Sequence, residues 1–252
     1  MSNPLIIYGV PFSQPVRAVL WLMLYKQKSF ELALINPGSS SEGGSRHPEY
    51  LAKFPTGTIP SIEDKESGFV LSESHAIMCY LCNKYNWTDL YPSNHEERAK
   101  VDSYLHLHHR NVREASIGLV APKVRKDLNF SEDFLKISQA NIEKAFKALE
   151  NGWLAQSRFL TGDNLTIADM SAYVEIGQLQ SKFTNVYDFE PLPNITRWLE
   201  EMNQVAYHDE VHASLYELGD ISSEAPSMET IISANKQGFV VIQEQLASIK
   251  DQ

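Results

Sequence analysis

The first part of the chain alternates between two hydrophobic periods. LIIYGV at 5–10 reads as a strand, QPVRAVLWLMLYKQ at 14–27 repeats its apolar positions with helical spacing, and SFELALI at 29–35 returns to strand. A helical crossover between two strands makes them parallel, so this is a βαβ unit. NPGSSSEGGSRH at 36–47 is too rich in Gly and Ser for a packed element and predicts a surface loop. Then come a short helix in PEYLAKF, the turn PTGT, short strands SIED and GFVLS about a turn at Lys65 to Gly68, and a helix in SESHAIMCYLCNKY. The order is βαβ followed by ββα.

After the polar connector NWTDLYPSNHEE the pattern becomes helical throughout. Stripes run at about 96–118, 132–155, 166–181, 192–205 and 207–217, and in the second of these Ile142, Ala145, Phe146, Leu149 and Trp153 keep three- or four-residue intervals. In LTIADM, Thr166 and Asp169 have capping-box spacing, with Leu165 and Met170 placed as a hydrophobic staple. The tail from Gly219 starts polar and then repeats Ile231, Ile232, Phe239, Ile242, Leu246 and Ile249, which predicts one more helix. The expected organisation is an α/β unit at 1–86, a linker at 87–95, and an all-α unit at 96–252 that includes a long tail at 219–252.

Composition sharpens this by exclusion. With 43% apolar residues the chain can fill real cores, and 22 Lys plus Arg against 32 Asp plus Glu give a net charge of −10. That balance argues against nucleic acid and against an anionic membrane surface as the main partner. No signal-like opening precedes LIIYGV, and the longest clean apolar run, AVLWLMLY, is far short of a membrane span, so the cytoplasm is the expected location. Cys79 and Cys82 are the two cysteines; their C-x-x-C lies well inside an apolar helix rather than at a helix start, so core thiols are expected. No matching second pair of ligands suggests zinc.

A βαβ-ββα order brings the end of the first strand, the turn before the third and the start of the last helix to one edge of the sheet. Those places carry Ser13, Ile59-Pro60 and Glu73-Ser74. Alone, Ser13 ahead of Pro15 reads as a helix cap. Grouped with the others, it becomes a candidate hydrogen-bond donor. Ser74 at a helix N-terminus offers a hydroxyl and backbone N–H groups to an anion, and Glu73 offers a carboxylate to an ammonium group.

Taken with SQPVRAV at 13–19, PTGTIPSIED at 55–64, LSESHAIMCYL at 71–81, ERAKVDSYLHLHHRNVR at 97–113, FLTGDNLTIADMS at 159–171 and YHDEVHASLY at 207–216, the chain resembles the glutathione transferases, and within them the theta class. The resemblance covers both units in the family's order. It implies a thioredoxin-like N-terminal domain followed by a helical domain. It also implies a homodimer that conjugates glutathione, a co-substrate, to small apolar electrophiles, with peroxidase activity available from the same thiolate and no metal. Ser13 is implied as the catalytic serine, hydrogen-bonding the sulfur of glutathione rather than attacking as a nucleophile. Gln14, Arg46, His47, Thr58, Ile59, Pro60, Glu73, Ser74 and Asp102 are implied as glutathione contacts, Asp102 reaching the glutamyl ammonium from the partner subunit. Ile59-Pro60 resembles the family's cis-proline turn. Tyr8 is the rival thiol donor, and Tyr8, His109, Arg110 and Arg113 are neighbours of the second-substrate pocket. In HLHHR only His106 and His109 share a helical face, and no carboxylate completes a metal set.

An unperturbed thiol, with pKa about 8.5, is a few per cent ionised at neutral pH. Lowering it by about two units is worth about 2.7 kcal/mol, within reach of a charge-assisted hydrogen bond and a helix N-terminus acting together. The sequence departs from the family where a basic residue usually stands, at Thr58, and where a histidine usually stands, near Ser45. Arg46 or His47 then has to hold the glycyl carboxylate. If neither does, the alternative is a catalytically weak glutathione-binding or scaffold protein that retains the fold. The long tail is expected to pack over the pocket mouth.

Overall fold

A computed structural model describes residues 5–125 and 128–250. The first four residues of the predicted 1–86 unit, and Asp251 and Gln252 of the predicted tail, lie outside the described residues. The chain opens with β1 (Leu5–Gly9), α1 (Gln14–Tyr25), β2 (Glu31–Leu34), α2 (Pro48–Lys53), β3 (Ser61–Asp64), β4 (Phe69–Ser72) and α3 (Ser74–Lys84). The sheet order is β2-β1-β3-β4, with β1 parallel to β2 and antiparallel to β3, and β3 antiparallel to β4. This is the βαβ-ββα topology that the two hydrophobic periods predict.

The rest is helical: α4 (His95–His108), α5 (Ala121–Val124), α6 (Glu132–Ala148), α7 (Ile167–Ile176), α8 (Pro193–Asn203), α9 (His208–Val211), α10 (Ala213–Leu218) and α11 (Met228–Lys250). Two π-helical turns, Ser116–Val120 and Leu149–Trp153, continue into or out of α5 and α6. The expected single helix at 96–118 is corrected: α4 stops at His108. There the Asn111 side chain donates to Leu107 O at 2.7 Å, and Arg113 N–H reaches back to His108 O at 3.1 Å, so local bonds displace the helical ladder.

From Val16 to Leu24 every residue of α1 is buried, because the helix packs against α3, α7 and α9. An apolar run without a polar face is what such a position requires. α7 is buried along its whole length, and its start carries the Thr166–Asp169 capping box. Cys79 and Cys82 are unpaired on α3; burial pushes their thiols up to about 11 and about 12, which suits packing and not redox chemistry. No helix among the described residues is long and apolar enough to cross a membrane.

Candidate active site

Register gathers the site. Tyr8 pairs with Ser61 and Ser61 with Ser72, so the chain leaving β1, entering β3 and leaving β4 does so at one edge of the sheet. Ser13 stands there at the start of α1, Ile59 and a cis Pro60 lead into β3, and Glu73-Ser74 open α3.

Ser13 occupies the N-cap position with φ −71° and ψ 125°, yet its hydroxyl makes no capping bond. The helix-cap expectation is therefore corrected. Pro15, lacking an N–H, removes one of the donors that a cap would satisfy. The hydroxyl is half-buried and has no partner within the described residues, at the positive end of a helix dipole.

Ile59 is half-buried, and neither its N–H nor its C=O is used by the sheet or the adjoining turns. Thr58 is exposed; its carbonyl accepts Tyr50 Oη at 2.8 Å and its hydroxyl pairs with Thr56. Ser74 is buried at the first turn of α3, while Glu73 is exposed with φ +77°, a left-handed conformation that costs a non-glycine residue strain. Strain of this kind collects where a side chain is held for use rather than for packing.

Loop 36–47 carries a buried serine, an exposed arginine and a half-buried histidine. Ser45 is buried and accepts the Gly38 N–H at 2.9 Å, so it is a loop tie. Arg46 is exposed, makes no ion pair among the described residues, and leans on the turn before Pro60: a Cβ at Gly57 would lie 3.0 Å from Arg46 Nη1. His47 Nδ1 stands 4.0 Å from the Glu49 carboxylate.

Three expected residues are not brought to this group. Tyr8 donates its hydroxyl to Glu63 at 2.7 Å and packs edge-on to Tyr50 and against Phe54; burial and Glu63 together push its pKa far up, so it is committed elsewhere. Gln14 donates Nε2 to Gln178 Oε1 at 2.9 Å and belongs to the contact between the two halves of the chain. Arg110 is exposed beyond the end of α4. Asp102, half-buried on α4, accepts Tyr91 Oη at 2.8 Å. His109 stacks on His75, ring centres 4.9 Å apart.

Arg113 does more than the sequence suggested. It pairs with the buried Glu175 of α7, which also accepts the Ser116 hydroxyl, and Ser116 in turn takes a bond from Gln178. The Gln178 oxygen faces Gln14 and Arg17. Arg17 is fully buried directly beneath the Ser13 turn, donating to Phe12 O at 2.6 Å and Val174 O at 3.1 Å; burial pushes its pKa down while Glu175 opposes the shift. This polar seam is invisible in the sequence except as lone polar residues, Arg17, Glu175 and Gln178, inside apolar runs. Glu175 is paired with Arg113, whereas Arg17 is held by carbonyl and amide oxygens and its Nε has no hydrogen-bond partner among the described residues.

Buried histidines flank the site and the seam. Burial pushes His75 down to about 3 and His208 down to about 4, so both are neutral in the folded chain at mild pH. Between pH about 6.5 and about 5.5 the unfolded chain takes up protons at these residues and the folded chain does not, so stability falls as pH falls, by about 1 kcal/mol for each histidine. Urea midpoints at the two pH values measure this; an unchanged midpoint counts against it. Among the described residues no group of three or more His, Cys, Asp or Glu is arranged to hold a metal ion.

A four-stranded mixed sheet whose first helix begins at Ser13, beside a cis-proline turn, defines a thioredoxin-like N-terminal half. The helical half identifies the branch. Residues 7–93 match the family model described as glutathione S-transferase, N-terminal domain, and residues 112–205 match the glutathione S-transferase, C-terminal domain. The chain belongs to the glutathione S-transferase family. Its relatives include glutathione S-transferase T3 of Arabidopsis thaliana, 29% identical over 93% of this chain and 41% of the relative. The chain thus spans about two fifths of that plant protein's length. Human glutathione S-transferase theta-1 is 27% identical over 86% of this chain and 91% of the relative. The solved structure of human glutathione transferase theta-2, in complex with glutathione, shares the fold with a TM-score of 0.73 at 23% identity, covering 97% of this chain and 99% of that one.

Proposed function

We propose that this protein is a theta-type glutathione S-transferase that conjugates the thiolate of glutathione to small apolar electrophiles. The observation that carries the reading is Ser13: half-buried, its hydroxyl without a partner among the described residues, and at the N-terminus of α1. With glutathione bound, Ser13 Oγ donates to the sulfur, and the helix end adds favourable charge. The free N–H and C=O of Ile59 receive the cysteinyl unit, Ser74 and the first turn of α3 receive the glutamyl carboxylate, and Glu73 takes the ammonium. Arg46 takes the glycyl carboxylate, in place of the bases that the family usually has. The thiolate then forms a bond to the electrophilic carbon as the leaving group departs with the electron pair; with a hydroperoxide it takes the terminal oxygen as the O–O bond breaks and the alcohol leaves, and a second glutathione converts the resulting sulfenic acid to disulfide and water.

The exposed Phe69 and Val70 on edge strand β4 support a homodimer, with Asp102 held by Tyr91 for the neighbouring glutamyl group. Unpaired Cys79 and Cys82 suit a reducing compartment, so the cytoplasm is the location assigned.

The test is a glutathione titration followed by thiolate absorbance, then turnover with an aryl halide, an alkyl halide, an epoxide and a hydroperoxide. Binding without a thiolate signal or turnover supports the scaffold alternative. Arg46→Ala is expected to raise KM for glutathione about fivefold with kcat within twofold, as loss of one exposed charge-assisted contact does. An unchanged KM assigns the glycyl carboxylate elsewhere.

A further inference from the structure

The Ser13 hydroxyl has no partner of its own within the described residues, so its aim is set by the backbone from Pro11 to Ser13. Within its own domain that backbone is held by Ser13 N–H donating to Val10 O at 3.0 Å and Arg17 N–H donating to Ser13 O at 2.9 Å, and the helical half adds two further ties at Pro11 and Phe12. The Phe12 N–H is accepted by Asn235 Oδ1 of α11 at 3.2 Å, a bond spanning 223 positions of sequence. Ser214 of α10 donates its hydroxyl to Pro11 O at 3.3 Å, and Arg17 donates to Phe12 O at 2.6 Å.

α11 is shaped for this contact. Asn235 Nδ2 donates to Ile231 O, one turn back, at 3.1 Å, which leaves the amide oxygen turned to the Phe12 N–H. Only the oxygen can meet an N–H, so the hydrogen bonds fix the amide's orientation. Three residues on, Gly238 brings the helix against the turn: a Cβ there would lie 2.8 Å from Pro11 Cβ and 3.0 Å from Ser214 Cβ. A glycine inside a 23-residue helix costs helix stability, and here close approach explains it. Buried Ala234, Ile242 and Leu246 seat the same face, beside Gly238.

We propose that Asn235 is a positioning residue for thiol activation, acting through the Phe12 peptide to aim the Ser13 hydroxyl, with Gly238 admitting the helix that carries it. This rests on the reading of Ser13 as the thiol's donor. α11 is then part of the activating apparatus as well as a wall beside it. Without the Asn235 bond the turn samples other orientations, and the hydroxyl spends less time on the sulfur.

Three variants test it by the pH midpoint of thiolate formation in bound glutathione and by kcat and KM for glutathione. Asn235→Leu is expected to raise the midpoint by about 0.7 unit and lower kcat below that midpoint about fivefold, the effect of one neutral hydrogen bond, with KM within twofold. Gly238→Ala keeps the amide, favours the helix and displaces it from Pro11, so it gives the same shift by an independent route, and it serves if Asn235→Leu folds poorly. A merely structural role lowers the yield of folded protein without moving the midpoint. Ser13→Ala is the reference. If it moves the midpoint while neither α11 variant does, the positioning role is overturned and the Ser13 reading stands. If Ser13→Ala leaves the midpoint in place, both fall.

Discussion

Ser13→Ala is expected to lower kcat for conjugation near neutral pH about a hundredfold, at the low end of the loss seen when one donor to a developing or stored negative charge is removed. The bound thiol should return toward its free pKa, about 8.5, so that the thiolate absorbance at neutral pH nearly disappears. The physical ground is local. The variant keeps the N-cap dihedrals and Pro15, and because the hydroxyl makes no capping bond, α1 loses nothing by its removal. A stability change under about 0.5 kcal/mol is therefore expected beside the large kinetic one, in contrast to the usual cost of about 1 kcal/mol for deleting a working N-cap. A variant with full activity would assign the donor elsewhere, and Tyr8, engaged by Glu63 at 2.7 Å, is poorly placed to inherit the role. A variant that is inactive and also markedly unstable would mean that Ser13 was capping after all.

The second large effect is on folding. Asp169 is fully buried at the first turn of α7 and accepts four bonds: Leu160 N–H at 2.8 Å, Thr166 N–H and Thr166 Oγ1 each at 3.0 Å, and Trp198 Nε1 at 3.1 Å. Burial pushes the carboxyl up to about 6, and the four donors oppose that shift and hold it ionised at neutral pH. Asp169→Ala leaves Leu160 N–H, Thr166 N–H and Trp198 Nε1 buried without this acceptor, while the Thr166 hydroxyl keeps Thr161 Oγ1 at 3.3 Å. The expected loss is about 4 kcal/mol, or about 10 °C in Tm for a chain of this size. Asp169→Asn keeps one acceptor oxygen but turns an NH2 toward donors, so about half that loss or more is expected. Chemical denaturation of the two variants checks this, and a loss below about 1 kcal/mol for alanine would show that water or a neighbour replaces the carboxylate. The effect reaches the site because α7 also carries Glu175, and the 3-10 turn Gly177–Leu179 that follows it carries Gln178, both part of the seam beneath Ser13.

Legibility from sequence followed the range of the forces involved. Strands and helices of the first half appear where the period-2 and period-3.6 patterns put them, because one face of each meets the core and the other does not. The Thr166–Asp169 box was legible too, since its donors and acceptor lie three residues apart. Arg17 was not: a lone arginine among apolar neighbours looks the same in sequence whether it finds partners or not, and here Val174 and Gln178, more than 150 positions away, supply them. The partners of Tyr8 and Gln14 were not legible either, for a related reason. Each faces the right edge of the fold in sequence terms, yet Glu63 across the sheet claims the first and Gln178 of the helical half claims the second. Arg46 was one of two candidates in a loop with no periodicity, and only the fold places its guanidinium beside Gly57 while His47 stands 4.0 Å from Glu49.

The sequence by itself determined the βαβ-ββα order, the helical second half, the unpaired core cysteines and the three places where Ser13, Ile59-Pro60 and Glu73-Ser74 fall, since these depend on local pattern and chain order. Only the tertiary structure decided that Ser13 caps nothing and that α11 reaches back to the turn that holds it. Whether a hydroxyl is spent or free, and which distant amide faces a given N–H, depends on contacts between segments far apart in the chain, and no local pattern encodes those.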